Sequence, residues 1–462
     1  MSLKNPCNYI LSVIIVYFLF TYCIYADVHS NNIANDVAEQ LVETSLIESN
    51  IMQDSKKSNL FIQGGAEIFN RTSFSTKQRV PSNSYGYFLG ELSLGYDYKD
   101  FSFVIGAVGA GLAYDSTRND SNGALGFNYI GAYPGYLANQ QATNLNTHNY
   151  FIHNAFIAYK SPLLTLKLGR FLQEDDDWYD SYAEGGIVTF HFADNYYFKV
   201  FGSSTYALVG QGWLNDFSRT YFTNGLLNAE FGYQSADFRA SIYTYYGIQE
   251  FVAPGVNVEF TFGDSSNVLA ATKFTAIFPI HRELANEQGF FTDIRSADGF
   301  TASILLREDI TLFEKYFIGI AMYKNIGNAN ARMAMFGNPL GIDIWDNSVY
   351  VTGASLNASV APDALSAMFF TKMQYDNLTT LLQSVSLGIN GRYTYSPSSD
   401  EYSLSFFCDM DIAEYFTLGL ILNYYTSVVK NELWITEETM RNNASRAIFD
   451  RSYLMTRIAY NF

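Results

Sequence analysis

Along most of the chain, apolar and polar positions take turns. Leu164, Leu166 and Leu168 share one face, and Thr165 and Lys167 the other. Phe238, Ala240 and Ile242 oppose Arg239, Ser241 and Tyr243; Val385, Leu387 and Ile389 oppose Ser384, Ser386 and Asn390. Leu404, Phe406, Cys408, Met410 and Ile412 likewise oppose Ser403, Ser405, Asp409 and Asp411. Successive side chains of a strand point to opposite faces, so a period of two predicts strands with one apolar and one polar side. These stretches run to about ten residues, longer than the strands of a soluble sandwich and close to the length that crosses a bilayer at a tilt. The pattern therefore predicts an all-β protein, a transmembrane antiparallel β-barrel that must close because hydrocarbon offers no water to a sheet edge.

The connections alternate in length. Short ones fall at Lys99-Asp100, Ser161-Pro162, Ala193 to Asn195, Ser235-Ala236, Gly263 to Asn267, Glu308 to Glu314, Asp376 to Thr380 and Ala413-Glu414. Long or variable ones cover Arg71 to Ser84, Asp115 to Asn149, Leu172 to Glu184, Thr205 to Leu226, Gln249 to Pro254, Pro279 to Gly299, Lys324 to Ala364, Pro397 to Asp400 and Lys430 to Asp450. Together they predict about 18 strands, with short turns periplasmic and long extracellular loops. Asp346 to Leu356 is the one stretch that could hide a further strand and upset the even count.

The N-terminal pattern differs. Lys4 precedes an apolar run from Tyr9 to Tyr25, then Ala26 and a polar stretch from Asp27, which predicts a signal peptide over 1–26. Ile24 is large for the minus-three position, which leaves an uncleaved anchor as the alternative, and Phe20-Thr21-Tyr22 ahead of Cys23 is not a lipobox. Residues 27–59 are acidic, with Ile33, Val37, Leu41 and Leu46 spaced like one helix face, and read as a periplasmic leader that is a short helix or disordered. The barrel is expected over 60–462. Beyond the signal no run of about 18 apolar residues occurs, so the mature chain has no helical span. Removal of the signal leaves Cys408 alone, and no intramolecular disulfide can form.

Composition adds to this picture in two ways. Aromatic residues make up 17% and charged residues only 16%, while mean hydropathy is −0.02. A wall that shows lipid with one residue and water with the next averages in this way. The net charge of −17 argues against a nucleic-acid partner, since phosphate binding needs clustered cations.

The strand count and the terminal Phe462 resemble the OprD-type specific porins. Leu168-Gly169-Arg170-Phe171, followed by Asp177-Trp178-Tyr179-Asp180-Ser181-Tyr182-Ala183-Glu184-Gly185, is similar to a pattern in the Hof outer-membrane proteins of Helicobacter and relatives. Asp346-Asn347-Ser348-Val349-Tyr350 and Pro362-Asp363-Ala364-Leu365 add a further likeness to that group. The resemblance implies a porin-like protein of the Gram-negative bacterial cell outer membrane. Leu454, Ile458, Tyr460 and Phe462 share one face of the last stretch and look like the C-terminal signal read by the barrel-assembly machinery.

Parity also nominates a lumen. Lys167, Lys199, Arg239, Lys273, Arg392 and Arg457 oppose lipid-facing positions, as do Glu67, Glu91, Glu230, Glu259, Asp409 and Asp411. Either a wet lumen simply collects charges, or the cations form a ladder whose transverse field orients carboxylate or zwitterionic solutes; the second arrangement resembles the basic ladder of OprD-type channels. Glu174, Asp175, Asp176, Asp177 and Asp180 form the densest charge, in the third predicted loop. That loop either folds inward as a constriction or stays at the surface and binds divalent cations that bridge lipopolysaccharide. Trp178, Trp213, Trp345 and Trp434 fall in or beside loops and are read as interfacial girdle or external contact residues, girdle positions being the commoner.

His29, His148, His153, His191 and His281 are scattered, and no nucleophile or metal-spaced motif accompanies them. The expectation is no enzyme, no catalytic residues, no metal and no cofactor. The expected function is passive diffusion of small polar or charged solutes. The competing one is a surface adhesin or ligand-binding barrel using loops such as Asp115 to Asn149. Lipid and lipopolysaccharide are the expected surroundings, and assembly as a homo-oligomer is left open.

Overall fold

The computed structural model describes residues 59–74, 83–116, 149–173, 176–179, 181–210, 213–218, 224–282, 300–330, 359, 361–397, 399–413, 415–429, 447–450 and 452–462. The signal segment, the leader up to residue 58 and the Asp346 to Leu356 stretch lie outside them.

The described residues form strands throughout. The first half comprises β1 (Asn59–Ser73), β2 (Asn83–Tyr98), β3 (Phe101–Asp115), β4 (Tyr150–Lys160), β5 (Leu164–Gln173), β6 (Ser181–Phe192), β7 (Tyr196–Gly210), β8 (Trp213–Ser218), β9 (Leu226–Gln234) and β10 (Phe238–Gly247). The second comprises β11 (Phe251–Asp264), β12 (Val268–Ile277), β13 (Ile280–His281), β14 (Ala302–Leu312), β15 (Tyr316–Ile326), β16 (Leu365–Asp376), β17 (Leu382–Tyr395), β18 (Ser399–Ile412), β19 (Phe416–Val429), β20 (Ala447–Asp450) and β21 (Tyr453–Asn461).

Each strand pairs antiparallel with its neighbours, and β1 pairs with β21 from Gly65↔Asn461 to Ser73↔Tyr453. The ring is therefore closed. It has 18 wall strands, because β13 extends the β12 edge along β11, β20 extends β21 along β19, and β8 folds back only on β7. Gly64 and Phe462 exchange both backbone hydrogen bonds, so no edge is left at the seam. Both ends of the barrel lie on the short-turn side: Asn59 pairs with Asp97 beside the first turn, and Tyr460 pairs with Phe416 beside the last.

The short turns use non-glycine residues in the left-handed region, among them Lys99, Ala193, Asp194, Phe313, Glu314, Asn377 and Ala413. Tight hairpins need positive φ to match strand twist, and here wall pairing holds L-residues in it. Several connections are tighter than the sequence pattern suggests. The turn expected at Glu308 to Glu314 is Phe313 to Lys315, and Glu308 lies in β14, where Thr272 donates to it. Phe251 to Pro254 belongs to β11, and the Pro397 region closes through a Ser396–Ser399 hydrogen bond. In each case strand pairing continues past the polar residues that read as loop.

Leu60, Ile105, Ile242, Ile318, Phe369 and Ile458 are exposed on the outer face, while Phe69, Tyr87, Tyr243 and Phe370 are buried on the inner one. Ile242 is 63% exposed midway along β10. Replacing it with Arg is expected to destabilise the barrel by about 2–4 kcal/mol, the penalty for a cation at the bilayer midplane. Urea unfolding in lipid vesicles measures this, and an unchanged midpoint would rule out a lipid-facing site.

Candidate functional site

The chain leaves the wall after β5 and turns inward. Gly169 holds φ 128°, and a Cβ there would lie 2.1 Å from the Ala155 carbonyl oxygen. Its cross-strand partner Gly185 would place a Cβ 1.8 Å from the Gly202 carbonyl oxygen. Only glycine permits β4 to β7 to approach so closely at this level. The two glycines of the Gly-Arg and Tyr-x-x-Gly pattern thus sit where the connection departs.

Residues 176–179 then run along the inner wall of the strands that follow. The Trp178 indole Nε1 donates to the Tyr243 hydroxyl at 2.9 Å, and Tyr243 donates to the Ala276 carbonyl. One Asp176 oxygen, Oδ1, accepts from the amides of Trp178 and Tyr179 and from the Tyr245 hydroxyl at 2.6 Å. Asp177 receives Lys273 Nζ at 2.5 Å and Asn257 Nδ2 at 3.2 Å. These partners stand on β10, β11 and β12, the third to fifth wall strands beyond β6. The segment seats Trp178 and Tyr179 in a buried cluster with Phe171, Phe201, Tyr206, Tyr243, Tyr245 and Phe251. The girdle reading of Trp178 is therefore corrected: the ring is 3% exposed and inside the barrel, because its N–H finds Tyr243 there. Glu174, Asp175 and Asp180 lie outside the described residues, as do Trp345 and Trp434.

A second inner cluster forms where the β7–β8 hairpin extends beyond the wall. Leu214 and Ala207 bury against Phe69, Tyr85, Tyr87 and Phe151, with Phe217 edge-on to Phe151. Arg170 lies over the Phe217 ring and pairs with Glu184 at 3.2 Å. This hairpin falls in the Thr205 to Leu226 stretch read as a loop.

The six cations singled out by parity all alternate with outward apolar residues, but their partners differ. Lys199 meets Glu230 at 2.5 Å, and Arg239 approaches the same carboxylate at 4.0 Å while Tyr197 donates to it at 2.6 Å. Lys273 lies between Asp177 and Glu259, at 2.5 and 3.2 Å. Arg392 and Glu401 form a pair 3.3 Å apart, both almost fully buried, with Tyr425 donating to the other Glu401 oxygen. Arg457 reaches Glu67 at 2.5 Å, and Tyr87 donates to the second Glu67 oxygen. Lys167 stands over the rings of Phe156 and Phe171. The inner face thus presents ion pairs rather than a row of separate charges.

Several of these partners were not singled out from the sequence: Tyr197, Asn257, Glu401, and the Arg307–Asp309 pair at 2.7 Å. The signal that finds them is the same parity, extended to hydroxyl and amide residues. Leu454, Ile458, Tyr460 and Phe462 lie together on the outer face at the seam, where Ile458 pairs with Ile68 and Tyr460 stacks near Phe416 and Phe462. Among the described residues no three His, Cys, Asp or Glu side chains gather as metal ligands.

A closed barrel of 18 strands with an apolar outside, a charged and aromatic inside, and short turns at the end that holds both termini is an outer-membrane barrel of the porin type. The chain belongs to the family described as "Putative outer membrane protein", whose model matches residues 53–462. Its fold is similar to that of Acinetobacter baumannii OccAB3 (TM-score 0.63, 10% identity, 87% of this chain and 99% of that one) and OccAB4 (TM-score 0.62, 10% identity, 88% and 99%). Pseudomonas aeruginosa OccD3 (OpdP) is also similar, with TM-score 0.56 and 11% identity over 87% and 92%. At these identities the likeness concerns the fold. No match is found among curated proteins. Family and fold agree with the OprD-type and Hof resemblance, and they place the chain in the outer membrane.

Asp176 makes the inward segment sensitive to pH. Burial pushes its carboxyl above the ordinary range, outweighing the opposing effects of Lys199 and the hydrogen bonds from Tyr245 and Trp178, while Glu230 adds to the rise. A carboxyl with a raised pKa binds its proton more tightly when the segment is docked than when it is free. Docking therefore strengthens as pH falls through the raised pKa and is weakest above it. Amide exchange at Trp178 and Tyr179, corrected for intrinsic rates, is expected to be slower at acidic than at alkaline pH. Asp176→Asn should remove the dependence; a dependence that survives would assign it elsewhere.

Proposed function

We propose that the protein is a passive diffusion channel for small polar or charged solutes, narrowed by the segment around Asp176 and Asp177. The observation that carries this reading is the inward segment itself. It is tied to the inner wall by Trp178–Tyr243, Asp176–Tyr245 and Asp177–Lys273, at a level where charged and aromatic side chains gather. A barrel that served only as an anchor for surface loops would have no use for polar contacts of this kind inside it. The adhesin reading rests chiefly on Asp115 to Asn149, most of which lies outside the described residues.

Selectivity in such a pore comes from its narrowest polar ring. Deleting Asp175 to Asp177 is expected to enlarge single-channel conductance in planar bilayers. Neutralising Lys199 and Arg239 together leaves Glu230 without its cations and should shift the reversal potential towards cations. A folded, heat-modifiable barrel that gives no step-like conductance would refute the channel.

A further inference from the structure

We propose that the solutes favoured by this channel are uncharged and rich in hydroxyl groups, of the polyol or sugar class, rather than carboxylates; the inference rests on the channel reading above. The argument begins with what the cations beside the inward segment still have to offer. A carboxylate approaching Lys199 meets Glu230 already at 2.5 Å, and the same Glu230 lies 4.0 Å from Arg239. One approaching Lys273 meets both Asp177 and Glu259. Lys199 and Lys273 would each have to exchange a close anionic partner for the solute, and Arg239 shares Glu230 at longer range, so the transverse field that would orient a carboxylate is reduced at its source.

The hydrogen-bonding capacity left over on the wall strands here is mostly neutral, with Arg239 Nε, and Asp176 Oδ2 on the inward segment, as the charged exceptions. On adjacent strands β9, β10 and β11, three inward side chains are more than nine-tenths buried: Asn228, Ser241 and Asn257. Among the described residues, both amide atoms of Asn228, the Ser241 hydroxyl and the Asn257 carbonyl oxygen have no protein partner. Asn228 is directly opposite Tyr245, and Ser241 directly opposite Asn257, so these groups lie beside the aromatic patch formed by Tyr243, Tyr245 and Trp178. Buried amides and hydroxyls without partners call for an outside donor and acceptor. A hydroxyl does both at once, whereas a carboxylate only accepts. Polyols and sugars combine such hydroxyls with C–H faces that pack on rings, which matches a row of amides and hydroxyls set beside tyrosines and a tryptophan. Asp177 already bonds Asn257 from the inward segment, so the row lies directly beside that loop contact.

Sorbitol and gluconate differ at one carbon, an alcohol in one and a carboxylate in the other, and so isolate the charge. Full-length protein reconstituted into liposomes is expected to admit radiolabelled sorbitol at least about fivefold faster than gluconate. Glu230→Gln combined with Glu259→Gln uncovers Lys199 and Arg239 and leaves Lys273 with Asp177 alone, and should reverse or erase that ratio and move the reversal potential towards anions. Asp177→Asn, which lies outside the wall strands, tests the same masking if the double variant does not assemble. Faster gluconate entry in the unmodified channel overturns the inference and leaves the channel standing, as does an unchanged ratio in a variant that folds. Failure of both solutes to enter, with no conductance, overturns the channel reading and the inference together.

Discussion

The structure depends on one requirement: within hydrocarbon, every backbone N–H and C=O of the wall must find a partner in the wall. An unsatisfied group there costs several kcal/mol, so the sheet cannot stop at an edge. The β1–β21 seam meets that requirement, down to the paired hydrogen bonds between Gly64 and Phe462. Closing an antiparallel ring without an edge also brings the first and last strands to the same end. The even strand number follows from closure rather than adding to it.

Closure then decides where polarity goes. With one face of every strand against lipid, most charged residues retained in the wall stand on the inner face, close to one another, while Glu308, opposite the outward Ile320, is held by Thr272. Ion pairs are the result. Arg392–Glu401 is almost wholly buried, and a pair of that kind contributes more to holding one arrangement than to net stability, because desolvation consumes much of its Coulomb energy. The interior that remains is filled by chain from the loop side: the 176–179 segment and the β7–β8 hairpin each bury an aromatic cluster on the inner wall. The lumen is therefore shaped by connections and the wall by strands, which is why the tight Gly169–Gly185 crossing lies at the junction of the two.

That division also explains what could be read from the sequence. The wall was legible because alternation is local: one apolar residue out fixes its neighbour in, and Lys199, Arg239, Lys273, Glu230 and Glu259 could all be assigned a side. Pairing was less so, because it depends on register. Glu259 and Lys273 face each other since the turn closes at Asp264↔Val268, and each lies five residues from it. A turn placed loosely at Gly263 to Asn267 leaves that match unfixed. Lys199 and Glu230 meet across strands joined through the β8 excursion, where no turn length sets the register. The inward path of Asp176 and Asp177 was one of two readings of an acidic run, and its resolution depends on Tyr243, Tyr245, Asn257 and Lys273, all more than sixty residues away. Trp178 was misread for the same reason: beside a predicted loop, a tryptophan matches an interfacial position until its partner is known.

For the channel proposed above, the pairing of lumen charges changes what a solute would sense at a distance. At an effective dielectric of about 20, a lone ammonium attracts a carboxylate about 8 Å away by about 2 kcal/mol. Setting a carboxylate within ion-pair distance of that ammonium, as Glu230 stands to Lys199, leaves well under about 1 kcal/mol at the same range, before salt screens it further. Separate cations would steer an anion from several ångströms out, but paired ones act only on what touches them. Recognition then passes to groups that work at contact: hydroxyls, amides and ring faces, which a barrel wall can supply in number because alternation allows any polar or aromatic residue on its inner side. In the proposed channel, a lumen with paired charges would sort solutes by hydrogen-bond geometry and shape, and the net charge of −17 on the chain does not by itself contradict this, since the field at one level is set by the nearest uncompensated groups rather than by the total.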